Sequence, residues 1–207
     1  MVNIRKFWYS IFKYEPKKFW LERGKTFYND NPYNNESYKQ QEQKLLDYLY
    51  GLDFSTVLEV GCGFGRITRL LLDHFNIKEY LATEYSPDLV KHAMKLTADF
   101  GNIQFRTGMI QELKVEKKYD LVFGTEVLQH IPPDEIKLVV DKLVNMSNKH
   151  VINIDTYVEH TPKNLARHVF VHNYGEIYRK NPLVANVNHI RLDIMDHSIF
   201  HALIGSQ

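Results

Sequence analysis

A short apolar segment followed by three alternating glycines restricts the fold of this chain more than any other feature. Residues 57–60 read as a buried strand, Gly61, Gly63 and Gly65 follow it, and an amphipathic segment begins at Arg66. Glycines at such positions let the backbone turn tightly and let a ligand approach without meeting a Cβ atom. The pattern predicts a strand, a ligand-binding loop and a helix in succession.

The spacing of these glycines also indicates the kind of ligand. The dinucleotide fingerprint of dehydrogenases requires a glycine three positions after its second glycine, and Arg66 occupies that position here. A loop for a nucleotide-type cofactor is therefore predicted, while hydride transfer is disfavoured.

Short β-branched or aromatic segments alternate with helical or loop stretches along most of the chain. These segments are residues 57–60, 79–83, 103–105, 119–123 and 151–154. Strands that alternate with helical stretches of about 10–15 residues are typical of βαβ units and a parallel sheet. The predicted class is α/β. A helix is expected around residues 164–178, and two strands, residues 184–192 and 198–204, are expected to add an antiparallel edge.

Local signals predict where three helices lie. Ser86-Pro87 offers a capping hydroxyl followed by a proline, and Pro132-Pro133 precedes two acids that suit a helix N-terminus. Residues 38–50 have helical spacing, with one apolar face formed by Tyr38, Leu45, Leu46 and Leu49.

The first 50 residues are too rich in aromatic side chains to leave exposed. We expect residues 1–50 to form a helical cap over the main domain, residues 51–207, with Tyr28 and Tyr33 reaching the cofactor. Packing against the sheet edge or a contact in a dimer is the alternative, so the chain is expected to be a monomer or a homodimer.

Three motifs resemble, in the same order, those of class I S-adenosylmethionine-dependent methyltransferases. They are the glycine loop preceded by Glu59, the sequence Glu84-Tyr85-Ser86-Pro87, and residues 119–123 leading into residues 127–132. The resemblance covers about residues 56–155. It implies a seven-stranded, mostly parallel Rossmann-like sheet with one antiparallel edge strand. It also implies methyl transfer from S-adenosylmethionine to an oxygen or nitrogen of a small molecule, with S-adenosylhomocysteine as the product.

The resemblance also implies roles for individual residues. The cofactor carries a sulfonium and an ammonium group but no phosphate, so the negative charge of Glu59 is complementary to its methionine part. Glu84 is expected to accept both ribose hydroxyls, and Tyr85 to flank the adenine. The full set of expected cofactor residues is Tyr28, Glu59, Gly61, Cys62, Gly63, Gly65, Arg66, Glu84, Tyr85, Met109, Ile110 and Glu126.

One position departs from the family pattern. Many relatives place an acid after the glycine that follows the third strand, where it receives the adenine amino group, but this chain has Met109 after Gly108. Met109 can only pack against the ring, so polar recognition is expected from the backbone near Ile110 or from Gln111.

The candidates for proton transfer are His130, His172 and Tyr174. Histidine is the side chain best suited to take a proton from an acceptor near neutral pH. His130 follows the fourth strand, where open α/β sheets bind their ligands, but it can equally pack or cap a helix. His172 and Tyr174 follow the fifth strand, and their alternative roles are a helix start held by Asn173 and a ring packed on the sheet. His168 and His172 have metal-ligand spacing, but without further ligands no metal is predicted.

Composition disfavours several kinds of partner. The 26 basic and 25 acidic side chains give a formal charge of +1, so no overall field favours nucleic acid or an anionic membrane. Cys62 is the only cysteine, which prevents an internal disulfide and favours a reducing compartment, the cytoplasm. No stretch approaches the roughly 20 apolar residues of a membrane span.

The expected acceptor is a small molecule. Family members that methylate nucleobases carry an Asn/Asp-Pro-Pro-aromatic motif after the fourth strand, where this chain has Gly124-Thr125-Glu126-Val127. DNA is therefore not expected as a partner. An RNA or protein substrate, or a cofactor-binding protein without turnover, remain the alternatives.

Overall fold

The computed structural model describes residues 14–31, 36–158 and 165–205. Strands β1 to β7 span Thr56–Val60, Glu79–Glu84, Ile103–Thr107, Tyr119–Thr125, Ser147–Thr156, Val184–Arg191 and His197–Ile204. Helices α1 to α6 span Pro16–Asp30, Glu36–Leu49, Arg66–His74, Pro87–Leu96, Ile136–Asn145 and Tyr174–Arg179, and a short 3-10 helix covers Leu128–His130. Tyr33 lies outside the described residues.

The seven strands form one sheet in the order β3-β2-β1-β4-β5-β7-β6. Strands β1 to β5 pair in parallel, and β7 is antiparallel to both β5 and β6. The predicted α/β class, the mostly parallel sheet and the antiparallel pairing at one edge are confirmed. The antiparallel strand β7 lies between β5 and β6, and β6 is the edge strand. Strand order reverses between β1 and β4, and ligands of open α/β sheets bind at such a point.

Alternate residues of β1 enter two separate cores because helices cover both faces of the sheet. Leu58 and Val60 belong to the core beneath α5, whereas Val57 belongs to the core formed with α2 and α3. The carboxyl ends of the central strands, with their loops, are thus held by packing on both sides, and this edge carries the site.

Two of the predicted helix starts are corrected by the structure. Helix α4 begins at Pro87, and the Ser86 hydroxyl accepts a hydrogen bond from the Leu89 amide at 3.4 Å, as predicted. Helix α5 begins at Ile136 instead of at the proline pair. A turn comes first, in which the Pro132 carbonyl accepts hydrogen bonds from the Glu135 and Ile136 amides. The helix expected around residues 164–178 is confined, within the described part, to α6, whose Asn173 side chain caps the Glu176 amide.

The helices of the amino-terminal segment pack differently from each other. Helix α2 buries Tyr38, Leu45, Leu46 and Leu49, the predicted face. Helix α1 buries only Gly24, and a Cβ atom there would lie 2.1 Å from the Ser86 hydroxyl, so this glycine permits close contact with the start of α4. Within the part of the chain that the structure describes, no helix combines the length and apolarity needed to span a bilayer.

Candidate active site

One cavity of about 470 Å³ lies at the carboxyl ends of β1, β2 and β4. Its walls come from the glycine loop, the loops after β2, β3 and β4, and the inner side of α1. Pockets of roughly 300–1,000 Å³ suit small ligands and cofactors. Of the predicted residues, those that line it are Gly61, Cys62, Gly63, Arg66, Glu84, Tyr85, Met109, Ile110, Glu126 and His130.

The three glycines of the loop all have positive φ, but only one faces open space. A Cβ atom on Gly61 would lie 2.4 Å from the Val127 side chain, and one on Gly65 would lie 2.8 Å from the Ala93 backbone. At Gly63, with φ of 56°, a Cβ atom would meet nothing within 4 Å. Gly61 and Gly65 thus permit tight packing of the loop, while Gly63 leaves room for a ligand. Gly65 is behind the cavity wall and does not line it.

The Glu84 carboxylate lines the same cavity, next to the glycine loop. Its Oε2 atom accepts a hydrogen bond from the Gly63 amide at 3.0 Å, and its Oε1 atom accepts from the amides of Tyr85 and Ser86 at 2.7 and 2.9 Å. Burial raises the pKa of Glu84, and these three amides act in the opposite direction. The carboxylate is therefore fixed beside the glycine loop, where its remaining lone pairs can accept hydrogen bonds from the hydroxyl groups of a ligand.

Glu59 lies under the loop and is not part of the cavity wall, contrary to the predicted contact with the cofactor. It is 2% exposed, and its Oε2 atom accepts hydrogen bonds from the hydroxyls of Thr68 and Tyr80. Burial raises the pKa of Glu59 to about 7. Its side chain points to the same face of β1 as Val57, so it ties the loop to α3 and β2.

Arg66 and Glu126 meet in a buried network that sequence reasoning missed. The fully buried Gln41 of α2 accepts from Arg66 Nη2 at 2.6 Å and donates to Glu126 Oε1 at 3.1 Å. The Arg66 guanidinium also lies 4.1 Å from the ring centroid of Tyr38. Glu126 adopts φ of 59°, which is unfavourable for a residue with a side chain. Gln41 thus holds the Glu126 carboxylate in the cavity wall. The only sign of this network in the sequence is a glutamine on the apolar face of a helix.

His130 lines the cavity in a defined protonation state. Its Nδ1 atom donates to the His168 carbonyl at 2.9 Å, and because a carbonyl can only accept, Nδ1 carries the proton and Nε2 is the free acceptor. Gln129 Nε2 lies 3.5 Å from that nitrogen, at the outer limit of a hydrogen bond. Burial lowers the pKa of His130 to about 4. The ring is therefore neutral, and its Nε2 atom can accept a hydrogen bond, but burial makes it a weaker base than an exposed histidine.

His172 and Tyr174, which were predicted as catalytic residues, do not line the cavity. His172 Nε2 donates to the Ile131 carbonyl at 3.0 Å, and burial lowers the pKa of its ring to about 4. Tyr174 is fully buried, and its ring lies 5.2 Å from that of Phe200. The packing roles weighed as alternatives describe both residues.

Tyr28 is also outside the cavity. Its side chain is 40% exposed, and its ring stacks on His92 at 4.3 Å. The helix turns this residue away from the face that lines the site. Cys62 does line the cavity, but burial raises the pKa of its thiol well above the ordinary value, so it stays protonated.

The loop after β3 supplies the far end of the cavity. Met109, Ile110 and Gln111 all line it, and the Gly108 amide donates to the Glu84 carbonyl at 2.9 Å. This hydrogen bond joins the loop to the end of β2. The apolar side chains here suit a flat heterocycle, as the departure from the family pattern led us to expect.

Helix α1 contributes the largest set of lining residues that the sequence did not assign. They recur at helical spacing and are Pro16, Phe19, Trp20, Arg23 and Phe27. Ring centroids of Trp20 and His130 are 4.8 Å apart, and those of Phe19 and His168 are 4.5 Å apart. The periodicity could have been found from the sequence, but it is the same as that of a face packed on a core.

Comparisons with known proteins agree with this architecture. Residues 57–150 match the family model described as a methyltransferase domain. This match bears out the resemblance over residues 57–150, which are similar to a methyltransferase domain, and the sheet order and the site at its switch point are those of a Rossmann-like fold.

Particular relatives are more distant. Malonyl-[acyl-carrier protein] O-methyltransferase of Acetivibrio thermocellus is 27% identical over 63% of this chain, and one from Ilyobacter polytropus is 31% identical over 48%. The matched regions span 47% and 37% of those proteins, so the chain spans about half or less of their length.

Solved structures share the fold over nearly the whole chain. Magnesium protoporphyrin IX methyltransferase from Synechocystis, with bound S-adenosylhomocysteine, has a TM-score of 0.69 at 18% identity and covers 91% of this chain and 98% of its own. The N-methyltransferase NodS from Bradyrhizobium japonicum, also with S-adenosylhomocysteine, has a TM-score of 0.70 at 18% identity and covers 93% and 100%.

Proposed function

We propose that this chain is an S-adenosylmethionine-dependent methyltransferase that methylates an oxygen or nitrogen of a small molecule bound beneath α1. One observation carries the proposal: Glu84, the open side of Gly63 and the ring of His130, whose Nε2 atom is unprotonated, all line one cavity. Methyl transfer requires two reactants side by side, and much of its acceleration comes from holding them in line.

The residues present fit the cofactor chemically. Gly63 offers space where any side chain would intrude, and the fixed Glu84 carboxylate matches a pair of ribose hydroxyls. Tyr85 and Met109 offer apolar contact for adenine, and Glu126 offers a negative charge for the ammonium and sulfonium groups. When bound, S-adenosylmethionine supplies a methyl group that the positive sulfur already activates for transfer.

His130 would receive the acceptor's proton at Nε2. The His168 carbonyl fixes the tautomer, and a neutral ring is the form that can accept a proton. The aromatic side chains of Trp20 and Phe19 exclude water from this part of the cavity. For an acceptor that carries no proton, such as a carboxylate, the same cavity would act by positioning alone.

The acceptor itself is proposed only as a class. Malonyl groups on an acyl carrier protein are the substrates named for the relatives above, so this acceptor is one arm of the test. A protein or RNA substrate and binding without turnover are the competing functions. The proposal includes an amino-terminal cap of residues 1–50, a cytoplasmic location and a monomer or homodimer.

Two experiments test this function. Calorimetric titration should show S-adenosylhomocysteine binding to the wild-type chain and at least about tenfold weaker binding to Glu84→Ala, because charge-assisted hydrogen bonds to the ribose are lost. The exposed Glu116→Ala is the matched control and should bind normally. Wild-type affinity in Glu84→Ala would refute the ribose assignment.

The second experiment identifies the acceptor. The chain is incubated with cofactor labelled in its methyl group and a cell extract divided into metabolite, protein and RNA fractions, with malonyl-acyl carrier protein tested separately. Label in the metabolite fraction, or on a malonyl group that thioester hydrolysis releases from acyl carrier protein, supports the proposal, whereas label only in RNA or in polypeptide side chains contradicts it. Cofactor binding with no labelled fraction would indicate a binding protein.

A further inference from the structure

Arg23 is a cavity residue to which neither the sequence motifs nor the fold assign a role. Arg23 on α1 and Arg66 at the start of α3 are the permanently charged cations among the described residues that line the cavity. The amino-acid part of S-adenosylmethionine ends in a carboxylate, and a carboxylate inside a cavity needs a cationic or hydrogen-bonding partner. Arg23 and Arg66 are therefore the two candidate partners of this carboxylate.

Arg66 is already engaged by protein groups. Its Nη1 atom donates to Glu42 at 3.0 Å and its Nη2 atom donates to Gln41 at 2.6 Å. The plane of the guanidinium is covered by the ring of Tyr38, and the side chain is only 9% exposed. Both terminal nitrogens of Arg66 are thus engaged, so a two-point contact of a second carboxylate with them would compete with Glu42 and Gln41.

Arg23 has donors to spare. Its hydrogen bonds to Thr26 and to the Asp30 carboxylate are both made by Nη1, so Nη2 and Nε have no partner within residues 14–31, 36–158 and 165–205. The pair with Asp30 is exposed, with 31% and 53% of the two side chains accessible, and such pairs hold weakly. The planar guanidinium can bind a further carboxylate through two parallel hydrogen bonds.

The position of Arg23 favours the cofactor half of the cavity over the acceptor half. Its guanidinium lies 5.0 Å from the ring centroid of Phe27, and that ring lies 6.3 Å from Phe64 in the glycine loop. Trp20, which neighbours His130, is almost one helical turn earlier in α1. Arg23 thus lies between the aromatic wall near His130 and the glycine loop.

Tyr38 gives a second indication of the same location. Burial and Glu126 raise the pKa of its phenol, whereas Arg66 and Arg23 act to lower it, so these charges all surround one ring. The Tyr38 hydroxyl donates to Asn31 at 3.2 Å, and both residues line the cavity. Arg23 and Glu126, which would hold the cofactor's ammonium group, are therefore both near Tyr38.

We propose that Arg23 binds the carboxylate of the cofactor's amino-acid part, so that the cofactor itself holds α1 over the cavity. This inference rests on the proposed function. It makes α1 part of the cofactor site as well as a wall of the acceptor site. Loss of cofactor then removes one of the contacts that keep the acceptor site closed, alongside the contact between Gly24 and Ser86.

The test compares two ligands that differ only in the carboxylate. S-adenosylmethionine and decarboxylated S-adenosylmethionine are titrated calorimetrically into the wild-type chain, Arg23→Ala and Lys25→Ala, the last being an exposed cation on the same helix. Arg23→Ala should weaken binding of S-adenosylmethionine by roughly ten- to a hundredfold. It should change binding of the decarboxylated ligand by less than about twofold, and Lys25→Ala should affect neither.

Two further measurements separate a binding role from a structural one. Arg23→Lys keeps the charge without the fork, so it should recover part of the lost affinity. Hydrogen exchange of the α1 amides should slow when S-adenosylmethionine binds to the wild-type chain, and slow less with the decarboxylated ligand. Equal loss for both ligands in Arg23→Ala, or no loss for either, would overturn the assignment. A wild-type chain that binds neither ligand would instead overturn the proposed function.

Discussion

The Nδ1 atom of His130 lies 2.9 Å from the carbonyl oxygen of His168, and the two rings are stacked with their centroids 5.2 Å apart. This contact joins the loop after β4 to the segment that follows β5. It also decides the chemistry of His130, because a ring that donates through Nδ1 has its lone pair on Nε2. The loop near His168 therefore takes part in the site without touching the reacting atoms.

Replacing His130 should slow methyl transfer without affecting cofactor binding. For an acceptor that must lose a proton, we expect His130→Gln to lower the single-turnover rate by about 10²- to 10⁴-fold, the usual contribution of a general base. Calorimetry with S-adenosylhomocysteine should give the wild-type affinity. The exposed His74→Gln serves as the control and should behave as wild type in both assays. An unchanged rate in His130→Gln would remove its role as a base.

The pH dependence of the same reaction follows from the low pKa of His130. Since burial lowers that pKa to about 4, the ring stays neutral from pH 8 down to about pH 5. Protonation of His130 should therefore cause no fall in the single-turnover rate over this range. A fall centred near pH 6.5, the ordinary value for histidine, in wild type but not in His130→Gln would contradict the buried, neutral state.

Local sequence determined most of the sheet and one helix face, because each depends on short-range pattern. Strands such as residues 57–60 are buried on both faces and therefore read as continuous apolar runs, and Leu45 and Leu49 are buried as their spacing predicted. Gly63 and Glu84 could be placed at the cavity from local pattern for the same reason: each belongs to its own strand–loop–helix unit, Gly63 between β1 and α3 and Glu84 between β2 and α4.

Residues whose position depends on the path of a loop or on helix docking could not be assigned. His168 lines the cavity, whereas His172, four residues later, donates to the Ile131 carbonyl and does not line it, and neither does Tyr174. Trp20 and Tyr28 lie on one helix, and its docking, which includes the close approach of Gly24 to Ser86, places Trp20 in the cavity wall and Tyr28 outside it. Such packing between distant elements has no local sequence signal.

Glu59 should make stability depend on pH in a predictable direction. Its pKa rises from 4.5 in the unfolded chain to about 7 in the folded one, so the folded state binds more protons between these values. The folded state is therefore penalised above pH 7, and the penalty disappears as pH falls toward 4.5. Glu59→Gln cannot ionise, so its stability relative to wild type should be about 3 kcal/mol more favourable at pH 8 than at pH 4.5.

Urea denaturation of both proteins at the two pH values measures this difference, and the other titrating groups cancel because both proteins contain them. Glu116→Gln, at an exposed position, should show no such dependence. If Glu59→Gln differs from wild type by the same amount at both pH values, the pKa of Glu59 is not raised in the folded protein and the predicted pH dependence is wrong.

Two glycines of the loop should respond differently to alanine. Both have positive φ, so each substitution costs about 1 kcal/mol in backbone conformation. Gly65→Ala also places a Cβ atom 2.8 Å from the Ala93 backbone, which adds about 1–3 kcal/mol of overpacking. Gly63→Ala meets no protein atom and should remain folded, but its methyl group would occupy space proposed for the cofactor.

Denaturation should therefore rank Gly65→Ala as the less stable variant, whereas calorimetry at a temperature where both are folded should show the greater loss of S-adenosylhomocysteine affinity in Gly63→Ala. Equal affinities in the two variants would mean that the open side of Gly63 is not where the ligand binds.

Removing the hydroxyl of a buried tyrosine should have opposite effects at two positions in α6. The Tyr174 hydroxyl is buried without a hydrogen-bond partner in the described part of the chain, whereas the Tyr178 hydroxyl donates to Asn153 at 3.0 Å. An unpaired buried hydroxyl costs about 1–3 kcal/mol, so Tyr174→Phe should be neutral or more stable than wild type by about 1 kcal/mol. Tyr178→Phe leaves Asn153 without its donor and should lower the free energy of unfolding by about 1–2 kcal/mol.

Thermal denaturation compares the stability of the two variants. Single-turnover assays of Tyr174→Phe should give the wild-type rate because this residue lies behind the cavity wall. A large loss of rate with full stability would instead place the Tyr174 hydroxyl in contact with the acceptor.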